Sequence, residues 1–255
     1  MPAAITLRLR PFRPWRPDTR QLHGLACTLF EDPGADHAAQ EKRFAVWPVV
    51  PDPADPHVGL VLRCSWLGEG ASPLDGAATF AAGVRLGAAP CALIGIQERA
   101  ASYAKLTTSP PATSATLTFR SPTYFSRNGE DLVLPDPRLM LHSYRRRWNQ
   151  ALPGNSALRV DDDLWQRLHH AARLGPYELR TAEMDSGRGY LRVGFVGVAT
   201  LQLVGGTATD VRSAFATLVR FATYCGTGAQ TTHGFGATTS TLDVPSGAAG
   251  DAANG

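Results

Sequence analysis

The chain has 255 residues, 44% of them hydrophobic and 18% charged, and its formal net charge is +3. That length is enough for one large domain or two small ones with a buried core. No apolar run approaches the roughly 20 residues of a membrane span, and the first 20 residues lack the apolar centre of a signal peptide. We therefore expect a soluble cytoplasmic protein with no membrane partner.

The four cysteines are far apart in the sequence and include no Cys-x-x-Cys pair: Cys27, Cys64, Cys91 and Cys225. This spacing excludes the usual zinc motifs, and no cluster of carboxylates points to another metal. Scattered cysteines are typical of a reducing compartment. The sequence thus predicts neither a metal nor another cofactor.

Arginine supplies 23 of the 25 basic residues, and only Lys42 and Lys105 are lysine. The planar guanidinium binds phosphate with two hydrogen bonds and stacks on bases, so the bias suits RNA. A GC-rich genome that prefers arginine codons explains the bias as well, and the abundance of Ala, Gly and Pro favours that explanation. The bias alone does not establish RNA binding.

Hydrophobic periodicity predicts the order strand, helix, strand, strand, helix, strand in the first half of the chain. Apolar residues alternate with polar or basic ones over residues 4–11, which is typical of a strand exposed on one face. A helix through Phe30 follows, capped by Asp18 or Thr19. The remaining predicted elements are strands over 44–50, 58–64 and 92–96 and a helix over 73–84. This is the order of a ferredoxin-like unit.

The second half repeats that order. Its predicted elements are a strand over 115–119, helices over 136–148 and 161–172, strands over 177–183 and 190–204, a helix capped by Thr207 or Thr209, and a last strand over 237–244. We therefore predict an α+β fold of two tandem ferredoxin-like (RRM-like) domains with antiparallel sheets, over residues 1–98 and 114–244. Polar and proline-rich residues predict a linker between them, and residues 245–255 predict a disordered tail.

The strongest functional signal is the segment 226–236, Gly-Thr-Gly-Ala-Gln-Thr-Thr-His-Gly-Phe-Gly, between a predicted helix and the last strand. Glycine allows positive φ and close approach to a ligand, and consecutive amides can bind phosphate oxygens. The segment lacks the Gly-Lys-Ser/Thr of a P-loop, and it follows a helix rather than opening one as a dinucleotide-binding loop does. A tight connection that contacts no RNA is the alternative interpretation.

Two glycine pairs separated by five residues resemble the loop of the repeat-associated mysterious protein (RAMP) superfamily, the RNA-binding proteins of CRISPR systems. Four further segments are similar to the C-terminal domain of its precursor-processing endoribonucleases: 119–125 (Phe-Arg-Ser-Pro-Thr-Tyr-Phe), 134–137 (Leu-Pro-Asp-Pro), 147–149 (Arg-Trp-Asn) and 194–197 (Gly-Phe-Val-Gly). Where the family usually has Lys or Arg between the glycine pairs, this chain has a histidine. The resemblance implies RNA binding by Gly226, Gly228, His233, Gly234 and Gly236.

The resemblance extends to residues 36–44, where the family carries a histidine, then a basic residue five or six positions on, then an aromatic residue that opens a strand. His37, Lys42 and Phe44 match this pattern. It implies a metal-independent endoribonuclease that binds CRISPR repeat RNA and cleaves precursor CRISPR RNA (crRNA). The RNA 2′-hydroxyl attacks the adjacent phosphorus and leaves a 2′,3′-cyclic phosphate and a 5′-hydroxyl.

Histidine titrates near neutrality and can remove or supply the required proton, and a cation can stabilise the phosphorane. His37 and Lys42 are therefore the candidate catalytic residues. Arg43 is an alternative to Lys42. His23 competes with His37, although its place in the first helix favours a packing role, and a loop histidine such as His37 is often merely solvated.

A second interpretation is a non-catalytic RAMP protein that holds guide RNA in an effector complex. Its glycine loop would look the same, so the histidine segment discriminates between the two. Precursor crRNA, other effector subunits and a second copy of the chain are the candidate partners.

A basic run, Arg145 to Arg147, lies between Tyr144 and Trp148 on a predicted helix. Arginines that bind phosphate and rings that stack on unpaired bases are typical of RNA surfaces. Three consecutive helical positions point in different directions, so at most two share a face. We predict that Arg145 and Arg146 bind RNA and that Trp148 is in the core; a solvated helix face is the alternative. The pair His169-His170 is expected to face solvent.

Overall fold

The first strand, β1 (Ala3–Pro11), shows how the sequence pattern builds the first sheet. Its residues Ile5, Leu7 and Leu9 are at most 1% exposed in the computed structural model, whereas Arg8 is exposed. Because successive side chains of a strand point to opposite faces, one face of β1 packs into the core and the other is open. The structure describes residues 1–13, 17–31, 41–187 and 189–243.

Further elements complete the first sheet and its helices. They are α1 (Thr19–Phe30), β2 (Phe44–Val46), β3 (Val50–Asp52), β4 (Asp55–Trp66), α2 (Gly76–Ala82), β5 (Val84–Leu86) and β6 (Ala89–Ala100), followed by α3 (Tyr103–Thr107). The sheet order is β2-β4-β1-β6-β5, β3 also pairs with β4, and all pairs are antiparallel. The buried face of β1 packs against Leu22, Leu25 and Phe30 of α1 in the first core.

The second sheet has its own core. Its elements are β7 (Ser114–Thr123), β8 (Phe125–Arg127), β9 (Glu130–Leu132), α4 (Pro137–Ala151), α5 (Asp162–Ala171), β10 (Ala172–Asp185), β11 (Leu191–Leu203), α6 (Thr209–Cys225) and β12 (Thr238–Asp243). The sheet order is β10-β11-β7-β12, and β8 pairs with β9 as a separate hairpin. Trp148, Phe215 and Phe221 are fully buried in this core, which confirms the prediction for Trp148.

In the first sheet β1 and β4 are neighbours between β2 and β6, and in the second sheet β7 and β11 are neighbours between β10 and β12. This is the strand order of the ferredoxin-like fold, so the predicted fold class is confirmed. The segment expected to be a linker is more ordered than predicted, because α3 lies within it and buries Tyr103 and Leu106 in the second core. The predicted domain ranges and the disorder of residues 245–255 stay predictions, and the tail lies outside the described residues.

Three predicted element boundaries are wrong for local reasons. The strand expected over 44–50 ends at Val46 and resumes at Val50, since Pro48 has no amide hydrogen to donate to a ladder. The helix expected over 73–84 spans only Gly76–Ala82, because the Asp75 side chain caps it by accepting from the Ala78 amide at 3.0 Å.

The third error concerns the start of α6. Its N-cap is Ala208, without a side-chain cap, because the Thr207 hydroxyl donates instead to the Val204 carbonyl at 2.6 Å. At α1, by contrast, Asp18 is the cap, and it forms a capping box with Gln21. None of the helices in the described ranges is long and apolar enough to cross a membrane.

Candidate nucleic-acid interface and catalytic segment

The glycine-rich loop, residues 226–236, is a compact turn between α6 and β12 in which four glycines have positive φ. A Cβ on Gly236 would lie 1.9 Å from the Thr227 carbonyl oxygen, and one on Gly228 would lie 2.2 Å from that of Tyr124. No side chain fits at those distances. These two glycines are therefore required by the packing of the loop itself.

Backbone hydrogen bonds close the loop. The Thr227 amide donates to the Gly236 carbonyl at 2.8 Å, and the Ala229 amide donates to Tyr124 at 2.9 Å. The Tyr144 hydroxyl lies 2.7 Å from the Thr227 hydroxyl, which in turn lies 2.8 Å from that of Thr238. These amides are used inside the protein, so they are not offered to a phosphate, and RNA binding by the loop glycines stays a prediction.

Arg147 of α4 forms hydrogen bonds with the glycine-rich loop and with the residue before it. Its buried guanidinium donates to the Cys225 carbonyl and, at 3.0 Å, to the Gly228 carbonyl. Burial lowers the pKa of Arg147 from its ordinary value. Sequence reasoning assigned this arginine no role of its own, although the Arg-Trp-Asn segment contained it. The structure makes it a positioning residue for the loop.

The two arginines predicted to bind RNA differ in their surroundings. Arg145 donates to the Val160 carbonyl at 3.0 Å, forms an ion pair with Asp162 at 2.6 Å and lies over the ring of Trp165. Arg146 is exposed and lines a cavity beside the glycine loop. The geometry thus leaves Arg146 more accessible to a phosphate than Arg145, and RNA binding by either stays a prediction.

The other face of the glycine loop packs against the first domain. A short 3-10 helix, Thr231–His233, brings His233 onto His23 of α1; the ring centroids are 4.0 Å apart and the planes differ by 7°. Gly234 lies against the backbone of Trp47 and Pro48, just after β2. Burial, followed by the charges of His23 and Arg20, lowers the pKa of His233 to about 4. His233 is therefore neutral at pH 7.

Both ring nitrogens of His23 have neighbours within hydrogen-bonding distance. Its Nδ1 lies 3.1 Å from the Thr232 carbonyl oxygen, which can only accept, so Nδ1 carries a hydrogen. Its Nε2 lies 3.5 Å from the Cys27 Sγ. Burial and then Glu31 raise the pKa of Cys27 to about 11, which keeps the thiol protonated at neutral pH.

This contact begins a polar row along α1. His23 and Cys27 are four residues apart and share one face of α1, and Glu31, the C-cap residue, follows four residues later. Glu31 forms an ion pair with the Lys42 Nζ at 2.6 Å, and the two side chains are 12% and 5% exposed. The row therefore connects the glycine loop to the residues just before β2. Arg43, the alternative to Lys42, is exposed.

His37, the predicted catalytic histidine, lies outside the described residues, as do the rest of 32–40. Glu31 and Lys42, which flank that segment, are in contact with each other.

A cleft of about 730 Å³ lies beside the His23–His233 contact. It is formed by the start of α1 and the turn between β10 and β11, which are joined by a 3.0 Å hydrogen bond from the Thr19 hydroxyl to the Asp185 carbonyl. Sequence reasoning did not identify most of the residues that line this cleft, because they come from separate segments of the chain. Its lining includes Arg20, Asp131, Tyr190, Arg192 and His233.

Within the described ranges, no three His, Cys, Asp or Glu side chains are grouped so that they could hold a metal ion.

The model of the family "CRISPR-associated endoribonuclease Cas6" matches residues 117–238, which include β7, α4 and the glycine-rich loop. None of the curated proteins matches the chain in sequence. Among solved structures, the fold is similar to that of the Cas6 (TTHB231) product complex, with a TM-score of 0.78 and 24% identity over 94% of this chain and 99% of that one.

Two further structures extend the likeness. The Cas6 (TTHA0078) product complex has a TM-score of 0.77 and 26% identity, over 94% of this chain and 99% of that one. Thermus thermophilus Cas6 (TTHB231) has a TM-score of 0.70 and 25% identity, over 94% and 98%. Residues 117–238, which contain the glycine-rich loop, are therefore similar to the Cas6 family of CRISPR-associated endoribonucleases, and the fold is similar to that of solved Cas6 structures over 94% of this chain.

Proposed function

We propose that this protein is a metal-independent endoribonuclease that binds CRISPR repeat RNA and cleaves precursor crRNA. The observation that carries the proposal is the fold shared over 94% of the chain with the Cas6 (TTHA0078) product complex, at 26% identity. The match of residues 117–238 to the endoribonuclease family supports it. The RNA 2′-hydroxyl attacks the adjacent phosphorus, and the 5′-oxygen leaves with a proton.

His37 acts as the general acid or base in this proposal. A histidine in that role contributes roughly 10²- to 10⁴-fold to the rate. Support comes from its position in the sequence between Glu31 and Lys42, which form an ion pair with each other. His23 is a positioning residue here, because its two ring nitrogens are engaged by Thr232 and Cys27.

Lys42 stabilises the phosphorane in this proposal. Its ion pair with Glu31 fixes the ammonium at the start of β2, and a phosphate must then compete with the carboxylate for it. Arg43 is exposed, and no carboxylate among the described residues forms an ion pair with it. Comparison of Lys42→Ala with Arg43→Ala therefore separates the two assignments: loss of cleavage with RNA binding retained in Lys42→Ala alone supports Lys42.

The end groups of the products test the reaction itself. Purified protein is incubated with 5′-labelled repeat RNA in excess EDTA, and the cleavage position is mapped. A second RNA carries a 2′-deoxy nucleotide at that position. We expect one cut with a 2′,3′-cyclic phosphate in EDTA and none in the deoxy RNA. Cleavage that requires Mg²⁺, or that persists in the deoxy RNA, would contradict the mechanism.

Retention of RNA without cleavage is the other informative outcome. If the wild type binds repeat RNA tightly but leaves it intact, the protein holds guide RNA rather than producing it. Effector subunits and a second copy of the chain stay predicted partners. Identification of the proteins that co-purify with this protein and labelled crRNA tests the prediction of effector subunits.

A further inference from the structure

A second cavity, of about 510 Å³, opens between α4, α5 and β8, with Gly228 and Ala229 of the glycine-rich loop in its wall. It is distinct from the cleft that His233 lines. Its volume lies in the range of small-ligand sites, roughly 300–1,000 Å³. Such a space suits one nucleotide and is too small for a duplex.

The charged side chains that line the cavity are positive. Arg127, Arg138 and Arg146 line it, and all three are exposed. None of them forms an ion pair or a side-chain hydrogen bond with any other residue of the described ranges. The lining, as far as the structure describes it, includes no carboxylate. Arginines arranged in this way are typical of phosphate recognition.

An aromatic ring forms the floor of the cavity. Trp165 is 7% exposed, with the rings of His142 and His169 at centroid distances of 5.7 and 5.4 Å. Burial and nearby arginines lower the pKa of both imidazoles, so they are neutral at pH 7. His169 is half-buried here, which corrects the expectation that it faces solvent.

Two residues that line the cavity each carry a buried polar atom with no hydrogen-bond partner among the described residues. Ser143 is 9% exposed and its Oγ makes no hydrogen bond, and the same holds for the Nδ1 of His169. A buried polar group without a partner costs about 1–3 kcal/mol, so such groups are usually satisfied by a ligand or water. A hydroxyl and a neutral imidazole can both hydrogen-bond to the edge of a nucleobase.

We propose that this cavity holds one unpaired ribonucleotide, with its phosphate on the arginines and its base beside Trp165, where Ser143 and His169 hydrogen-bond to the base edge. The base must be unpaired, because those two groups occupy the place of a pairing partner. The inference rests on the proposed function where the nucleotide belongs to bound repeat RNA. A free nucleoside monophosphate offers the same chemistry.

If the nucleotide belongs to repeat RNA, variants of the cavity should bind repeat RNA more weakly than the wild type does. Ser143→Ala and His169→Ala remove one base contact each, and Arg146→Ala removes a phosphate contact. Arg167→Ala is the control, because Arg167 lies on α5 but pairs with Asp163 and Asp210. Loss of one hydrogen bond weakens binding roughly 2- to 13-fold. We expect fluorescence anisotropy to show about 5-fold or greater weakening in the three cavity variants and none in Arg167→Ala.

A double-mutant cycle connects the cavity to one position in the RNA. Each unpaired nucleotide of the repeat is replaced in turn by an abasic ribose, and binding is measured with wild type and His169→Ala. At one position the abasic RNA should weaken wild-type binding at least as much as His169→Ala does, and His169→Ala should cause no further loss with that RNA. Additive losses at every position, or cavity variants that bind like wild type, would overturn the inference.

Titration with free nucleotides distinguishes a failure of this inference from a failure of the proposed function. AMP, GMP, CMP and UMP are titrated calorimetrically into wild type and Ser143→Ala. If the wild type neither binds nor cuts repeat RNA but binds one monophosphate in a manner lost in Ser143→Ala, the proposed function fails and the nucleotide site stands. If neither RNA nor any monophosphate binds, both fail.

Discussion

The imidazole rings of His23 and His233 stack almost parallel across the boundary between the two domains, with 4.0 Å between their centroids. His23 belongs to α1 of the first domain, and His233 belongs to the glycine-rich loop of the second. Two protonated rings at this distance would repel each other. Protonation and the packing of the domains are therefore coupled at this contact.

Acid should destabilise the protein through His233. Its pKa is about 4 in the folded state against an ordinary 6.5, so above pH 6.5 both states are neutral. Between about pH 6.5 and 4 the unfolded state binds the proton first, and stability falls as the pH falls. The urea midpoint should therefore be lower at pH 5 than at pH 7.5. In His233→Gln the difference should shrink, whereas the exposed-site control His57→Gln should keep it; equal differences in all three proteins would contradict this.

Gly236→Ala should destabilise the fold by more than about 2 kcal/mol, because the residue has φ +66° and the new Cβ would lie 1.9 Å from the Thr227 carbonyl oxygen. Gly205→Ala is the matched control, since no atom lies within 4 Å of its Cβ position. Urea unfolding measures both. A Gly236→Ala protein as stable as the control would show that the loop can rearrange at little cost.

Arg146 and Arg147 are adjacent, but we expect their alanine variants to differ in stability and in RNA binding. Arg147→Ala leaves the Cys225 and Gly228 carbonyls without their buried donor and should cost about 3 kcal/mol of stability. Arg146→Ala should change stability by less than about 0.5 kcal/mol and should weaken RNA binding, with a shallower salt dependence. Thermal unfolding and anisotropy at two salt concentrations check the pair. If Arg146→Ala lost stability and Arg147→Ala only weakened RNA binding, Arg146 would be the residue that supports the loop and Arg147 the one that contacts RNA.

Tyr144→Phe removes the hydroxyl that contacts Thr227 inside the second core. We expect a loss of about 1–2 kcal/mol, the usual cost of a buried hydroxyl partner. The control is Tyr177→Phe, because that side chain is 60% exposed. If both variants unfold at the same urea concentration as wild type, the Tyr144–Thr227 contact does not contribute to the packing of the loop.

Much of the fold was predictable because it follows local rules. Alternating apolar residues indicated β1, and the Asp18 capping box marked the start of α1. The hairpin of β8 and β9 was missed although its signal was present: Asn128 and Gly129 have φ of 53° and 83°, the positive values that an Asn-Gly turn adopts. The strand predicted over 44–50 was too long, because Pro48 interrupts it despite the apolar residues around it.

The site was less predictable because its parts meet only in three dimensions. No periodicity links His23 to His233, which are brought together by the packing of α1 on the glycine loop. The cavity at Trp165 combines two helices, a hairpin strand and that loop. The sequence resemblance did identify the glycine segment and Arg147, but it did not reveal that the guanidinium turns inward to the loop carbonyls.

Single-turnover cleavage of labelled repeat RNA in EDTA by wild type and His37→Ala tests the central claim most directly, with His57→Ala as the matched control. Anisotropy first confirms that all three proteins bind the RNA equally. We expect His37→Ala to cleave at least about 100-fold more slowly than wild type and His57→Ala to cleave at the wild-type rate. Cleavage by His37→Ala at the wild-type rate would contradict the account and place the proton transfer on another residue.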